Sequence, residues 1–122
     1  MSYIDLHCDT LLNYFNDETF DLYRSETSSI DLLRLHQAGV MAQFFAICLP
    51  SVATLQRRGF TVEQFLQFSI ERFEEAMAAH GDIVEHAVTA SDVETCRDEG
   101  RLAALLSIED GRAVAGDLAR LG

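Results

Sequence analysis

The chain has 122 residues, 48% hydrophobic and 24% charged, which is the make-up of an ordinary globular domain rather than a disordered or fibrous one. Its formal net charge is −11, and all nine basic residues are Arg, with no Lys. So acidic a surface repels phosphate backbones and anionic headgroups, which excludes nucleic acids and membrane surfaces as expected partners.

The first element predicted is a short strand over Tyr3–His7, with Tyr3, Asp5 and His7 on one face and Ile4 and Leu6 on the other. A short helix over Thr10–Phe15 follows, then a polar loop from Asn16 to Ser29. Ser29 is the predicted cap of a helix carrying Ile30, Leu32, Leu33, Leu35 and His36, which Gly39 ends. Val40–Leu49 is almost continuously apolar and closes at Pro50, the pattern of a strand covered on both faces.

Thr61 opens the clearest helix, with Gln64 as its capping-box partner. Val62, Phe65, Leu66, Ile70, Phe73 and Met77 form its apolar stripe, and it stops before Gly81. Ile83–Val88 reads as a short strand or extended connection. Ser91 and Glu94 form a second predicted capping box, for a helix ending at Gly100. Leu102–Ile108 is another apolar strand, followed at once by Glu109-Asp110-Gly111, and Ala113–Leu121 is a last predicted helix. Strands alternating with helices predict an α/β fold with a parallel sheet. There is no repeat, linker or internal boundary, so residues 1–122 form a single domain.

The candidate chemistry begins in Asp5-Leu6-His7-Cys8-Asp9. His7 and Asp9, two apart at a strand end, leave the same face, and an imidazole and a carboxylate so placed can share one divalent cation. Asp5, one step deeper, is the candidate for a group behind the ligands that orients them. The alternatives are that Asp9 caps the next helix and His7 is a buried, hydrogen-bonded histidine. Glu109 follows an apolar strand directly; carboxylates at the carboxyl ends of parallel strands collect where chemistry happens. A solvated turn acid or a helix cap is its alternative. Cys8 should face the covering helices. His36, His80 and His86 have no partner at ligand spacing, and Phe65, Phe68 and Phe73 suit helix packing.

Asp5-x-His7-x-Asp9, then Leu32-x-x-Leu35-x-x-Ala38-Gly39-Val40-x-Ala42-Gln43-Phe44-Phe45, then Ser107-Ile108-Glu109-Asp110-Gly111 are together similar to the amino-terminal portion of the membrane (renal) dipeptidase family of zinc metallopeptidases. The resemblance implies the amino-terminal part of a (β/α)8 TIM-type barrel, its first three or so βα units. It implies two Zn2+ ions, His7 and Asp9 binding one and Glu109 bridging both. It also implies hydrolysis of dipeptides through a metal-bridging hydroxide. Asp110 stands where a small residue is expected beside the bridging Glu.

The family's remaining zinc ligands and its substrate-binding residues are expected beyond Gly122, and a barrel needs about 250 residues. The 122-residue chain alone is therefore expected to be inactive, and to need the remainder of the barrel or a homo-oligomer partner. Another metal-dependent amidohydrolase-type hydrolase is an alternative, although those more often begin with HxH. A non-catalytic barrel fragment acting as an interaction module is another. Cys8, Cys48 and Cys96 have neither CxxC pairing nor disulfide-framework spacing, no secretory signal is visible, and no run of 18 apolar residues exists. A cytoplasmic location is expected.

Overall fold

Val40–Cys48 lacks the polar alternation of a half-exposed strand, and in the computed structural model it is an interior strand of a parallel sheet. The structure describes residues 3–117 and 119. Four strands, β1 (Tyr3–Cys8), β2 (Val40–Cys48), β3 (Val84–His86) and β4 (Leu102–Glu109), lie in the spatial order β1-β2-β4-β3, every pairing parallel. Between them run α1 (Leu12–Asn16), α2 (Leu32–Gln37), α3 (Val52–Arg57), α4 (Val62–Ala79) and α5 (Ala90–Asp98). The expected α/β class with a parallel sheet is what forms.

Strand order is not chain order. β3 pairs only with Leu102, Ala103 and Ala104 at the outer edge of the sheet, so β4 lies directly against β2 along seven residues of each. Alternation along β4 divides the core. Leu102, Ala104 and Leu106 pack with Phe15, Leu32, Leu35, Leu55, Phe65 and Phe73 under α1–α4, while Ala103 and Leu105 pack with Ala42, Val93 and Cys96 under α5. Helix α5 therefore covers the face opposite the other four, over the amino-terminal half of β4.

The long helix forms where expected, and Thr61 and Gln64 make both bonds of the capping box. Phe65, Phe73 and Met77 of its stripe are buried; Leu66 and Ile70 are only partly so and, with Ala113, line a groove beside a 3₁₀ turn at Gly111–Val114. That turn replaces the start of the helix expected over Ala113–Leu121. Residues 118 and 120–122 lie outside the described residues.

Two caps lie elsewhere than predicted. Helix α2 is capped by Asp31, not Ser29, and α5 by Thr89 with Asp92, not by Ser91 with Glu94. Each stretch offers competing Ser, Thr or Asp residues, and packing of the apolar stripe selects among them. Helix α3, capped by Ser51, has no counterpart among the predicted elements; a single six-residue turn carries too little periodicity to stand out. The loop expected over Asn16–Ser29 is irregular from Asp17 on, Asn16 being the last residue of α1, and it is anchored by Phe20 and by a fully buried Leu22. No helix among the described residues is long and apolar enough to cross a membrane.

Asp31 closes that loop. Its carboxylate accepts the backbone N–H of Arg34 (2.8 Å) and Ser25 (3.1 Å) and the Arg34 Nε–H (2.8 Å). Burial alone would raise its pKa, but these hydrogen bonds outweigh that and hold the carboxyl below its ordinary value. A depressed folded-state pKa gives stability that is present above the unfolded value of about 3.9 and lost as pH falls through the folded one. Asp31→Ala is expected to cost about 2–3 kcal/mol at pH 7. Urea unfolding at pH 7, 4.5 and 2.5 checks it: the gap to the parent should hold at the first two and shrink at the third. A gap indifferent to pH would refute the charge-based account.

Candidate metal centre

β1 and β4 are separated by β2, and neighbouring strands sit about 4.8 Å apart. Side chains from β1 and β4 can meet only by reaching across the carboxyl end of β2. The residue there is Cys48, which pairs in register with Glu109 and has a short side chain. Across it, His7 Nε2 lies 3.4 Å from Glu109 Oε2, and 3.2 Å from Asp9 Oδ1. One ligand atom from each of the three residues lies within 4.8 Å of the others, and all three side chains are about half exposed.

Local chain geometry makes this possible. Asp5 pairs with Gln43 and Cys8 with Phe45, so three steps on β1 match two on β2. That irregularity breaks the alternation assumed from the sequence. Ile4 and Leu6 line a recess with Phe44 and Leu105 on the α5 side, whereas Cys8 enters the helix-side core, as expected of it. Burial pushes the Cys8 thiol up, with Asp5 and Asp9 adding to the effect against hydrogen bonds from Thr10.

The alternatives for His7 and Asp9 are not what forms. Helix α1 begins after Leu11 with no side-chain cap, so Asp9 does not cap it, and His7 is exposed rather than buried. Asp5 holds the strand rather than the imidazole: its Oδ1 accepts the His7 backbone N–H at 3.3 Å. Glu109 is the last residue of β4, and the acid that caps the turn after it is Asp110, which accepts the Arg112 backbone N–H at 2.8 Å. A hydrogen bond from the Arg112 side chain also holds the Asp110 carboxyl below its ordinary pKa. Arg112 went unnoticed in the sequence, and nothing in its spacing reveals that it reaches Leu49 and Pro50.

His80 and His86 take packing roles, as do Phe65, Phe68 and Phe73. His80 stacks on Tyr23 at 3.9 Å, and His86 Nδ1 meets Glu74 Oε1 at 2.7 Å while its ring stands edge-on to Phe73. Phe65 and Phe73 are core residues, and Phe68 packs edge-on to Phe60. Cys48 borders the site; burial, then the nearby carboxylates of Asp9, Glu109 and Asp110, raise its thiol above the ordinary value.

One imidazole nitrogen and two carboxylates are a donor set that zinc and similar divalent ions accept. Arginine ion pairs of the described residues go to other acids: Arg34 to Asp31, Arg72 to Glu75, Arg97 to Asp98, Arg101 to Glu85 and Glu99, and Arg112 to Asp110. Asp9 and Glu109 thus bring two carboxylates together beside the His7 imidazole, neither paired with an arginine in the ion pairs of the described residues, and the residues present fit a divalent cation. Access suits this too. Helix α5 covers Ala103 and Leu105, but Ser107 and Glu109, further along the same face, lie beyond it.

Solved structures share this architecture. A metallopeptidase described as dipeptidase AC, of family M19, superposes with a TM-score of 0.68 at 24% identity, over 97% of this chain and 40% of that one. A metallopeptidase from Rhodobacter sphaeroides, liganded with a phosphinate mimic of the dipeptide L-Ala-D-Ala, gives 0.65 at 23% identity, over 97% of this chain and 41% of that one. The chain thus spans about two fifths of the length of the structures it matches. No curated protein matches it. The family described as membrane dipeptidase (peptidase family M19) matches along residues 1–122, and the chain belongs to that family.

Proposed function

We propose that the protein of which these residues are the amino-terminal part is a zinc-dependent dipeptidase. The observation that carries this is the meeting of His7, Asp9 and Glu109 at the carboxyl ends of β1 and β4, in a chain of a metallo-dipeptidase family. His7 and Asp9 would hold one ion, and Glu109 would be the ligand shared with a second. Zinc bound there supplies Lewis-acid polarisation of the scissile carbonyl and a water acidic enough to act near neutral pH.

The rest falls to the chain. Asp5 fixes the backbone of His7, so that the imidazole and Asp9 are aimed before a cation arrives. The uncovered half of the sheet face above α5 leaves room for a dipeptide beside Glu109. The substrate-binding groups and the ligands completing the second position come from the remaining barrel strands. Those strands cover the apolar recess of about 530 Å³ between β1 and α5, where Leu6 is 71% exposed. The cytoplasm is the proposed location.

The test compares the full-length protein with residues 1–122 alone, both supplied with zinc. Only the former should cleave dipeptides, and the short chain should associate in light scattering. Turnover by residues 1–122 near that of the full-length protein, or a compact soluble monomer, would overturn the dependence on the missing strands. A full-length protein that binds no zinc, and loses nothing on His7→Ala or Asp9→Ala, would instead be a non-catalytic interaction module.

A further inference from the structure

Beyond the ladder that ends at Cys48 and Glu109, one side chain links the segments that leave β2 and β4. Directly after Glu109 the backbone turns at Asp110 with φ 112° and ψ 119°, a region that residues bearing a Cβ rarely adopt. The Asp110 carboxylate offsets this by gathering Arg112: Oδ1 accepts the backbone N–H at 2.8 Å, and Oδ2 accepts Nε–H at 2.7 Å. With its Nε edge held, the guanidinium points its other donors across the sheet. Nη1 donates to the Pro50 carbonyl at 3.0 Å and Nη2 to the Leu49 carbonyl at 3.1 Å. These acceptors follow Cys48, the register partner of Glu109, and lie 62 and 63 residues earlier in the chain.

Strand ends fray because their last residues have no further ladder to hold them. Glu109 is the last residue of β4, and it must meet His7 from two strands away. Its position relative to β1 therefore depends on whatever fixes the ends of β2 and β4 together. The clasp begins one residue beyond Glu109 and closes one residue beyond Cys48. A planar guanidinium suits it, since its fork can engage a carboxylate and two carbonyls at once, which an ammonium cannot do in fixed geometry.

We propose that Arg112, braced by Asp110, is a positioning residue for Glu109, holding its carboxylate at the distance from His7 and Asp9 that cation binding requires. This rests on those three residues being the metal ligands. It concerns residues that do not themselves ligate, and it gives the departure from a small residue at position 110 a purpose.

The experiment measures Zn2+ affinity of the full-length protein by competition with a chromogenic chelator, alongside dipeptide kinetics and thermal unfolding. Arg112→Ala is expected to weaken zinc binding about tenfold or more and to lower kcat with KM within about twofold. Arg112→Lys should recover part of the affinity. Asp110→Gly separates site from scaffold, because glycine takes φ 112° freely: zinc affinity should fall although the thermal midpoint does not. Arg112→Ala with zinc affinity within twofold of the parent, while Glu109→Gln loses the metal, would overturn the positioning role alone. Zinc affinity unchanged by Glu109→Gln would overturn the metal centre itself. Should Arg112→Ala fail to fold, Arg112→Lys and Asp110→Gly carry the test, and parent-like affinity in both would overturn the proposal.

Discussion

Replacing Glu109 with Gln in the full-length protein is expected to remove most of the dipeptidase activity proposed for it, by on the order of 10³-fold. The change keeps the size of the side chain and removes one negative charge of the pair facing His7. An amide carbonyl binds a divalent cation more weakly than a carboxylate does, because it carries no negative charge. Metal content should fall with activity, and Glu109→Asp should not restore either, because a shorter side chain draws back from His7 over the end of β2. Zinc analysis and dipeptide turnover on the same preparations check this. Activity within tenfold of the parent, with full metal content, would sink the role given to Glu109.

Phe73→Ala should have the largest effect on stability, about 3–5 kcal/mol. Phe73 is fully buried on α4, with its ring 5.9 Å from Phe45 of β2 and edge-on to His86 of β3 at 5.0 Å. It therefore joins the long helix to an interior strand and to the short edge strand, and its loss leaves a cavity that none of the three can collapse into alone. Phe73→Leu leaves a smaller void and should cost less. Chemical unfolding of the full-length protein measures both; a loss below about 1 kcal/mol for the alanine variant would show the core able to close around the gap. Since whole-domain stability is about 5–15 kcal/mol, the variant should also accumulate poorly in cells.

Elements fixed by local chemistry were legible in the residues themselves. The Thr61–Gln64 box needs only four neighbouring positions, and the apolar runs at Val40–Leu49 and Leu102–Ile108 mark strands without reference to any partner, although Ile108 at the end of the second is half exposed. The caps at Asp31 and Thr89 were harder, because several cap-forming residues stand close together and the choice follows the packing of the helix they begin. α3 is too short to carry a period.

The chemical identity of the site belongs to the sequence: an imidazole and a carboxylate two positions apart, a second carboxylate ending a later apolar strand, and an order of segments similar to one peptidase family. Their meeting belongs to the tertiary structure alone. Only the pairing of β4 against β2, with β3 displaced to the edge, puts Glu109 two strands from β1 at a height where it reaches His7. Only the uneven register of β1 puts Leu6 in the α5-side recess and Cys8 in the opposite core, on either side of His7. The Arg112 clasp likewise spans more than sixty residues of chain. Strand order, register and such long-range hydrogen bonds come from burial summed over the whole sheet, and no window of neighbouring residues contains that sum.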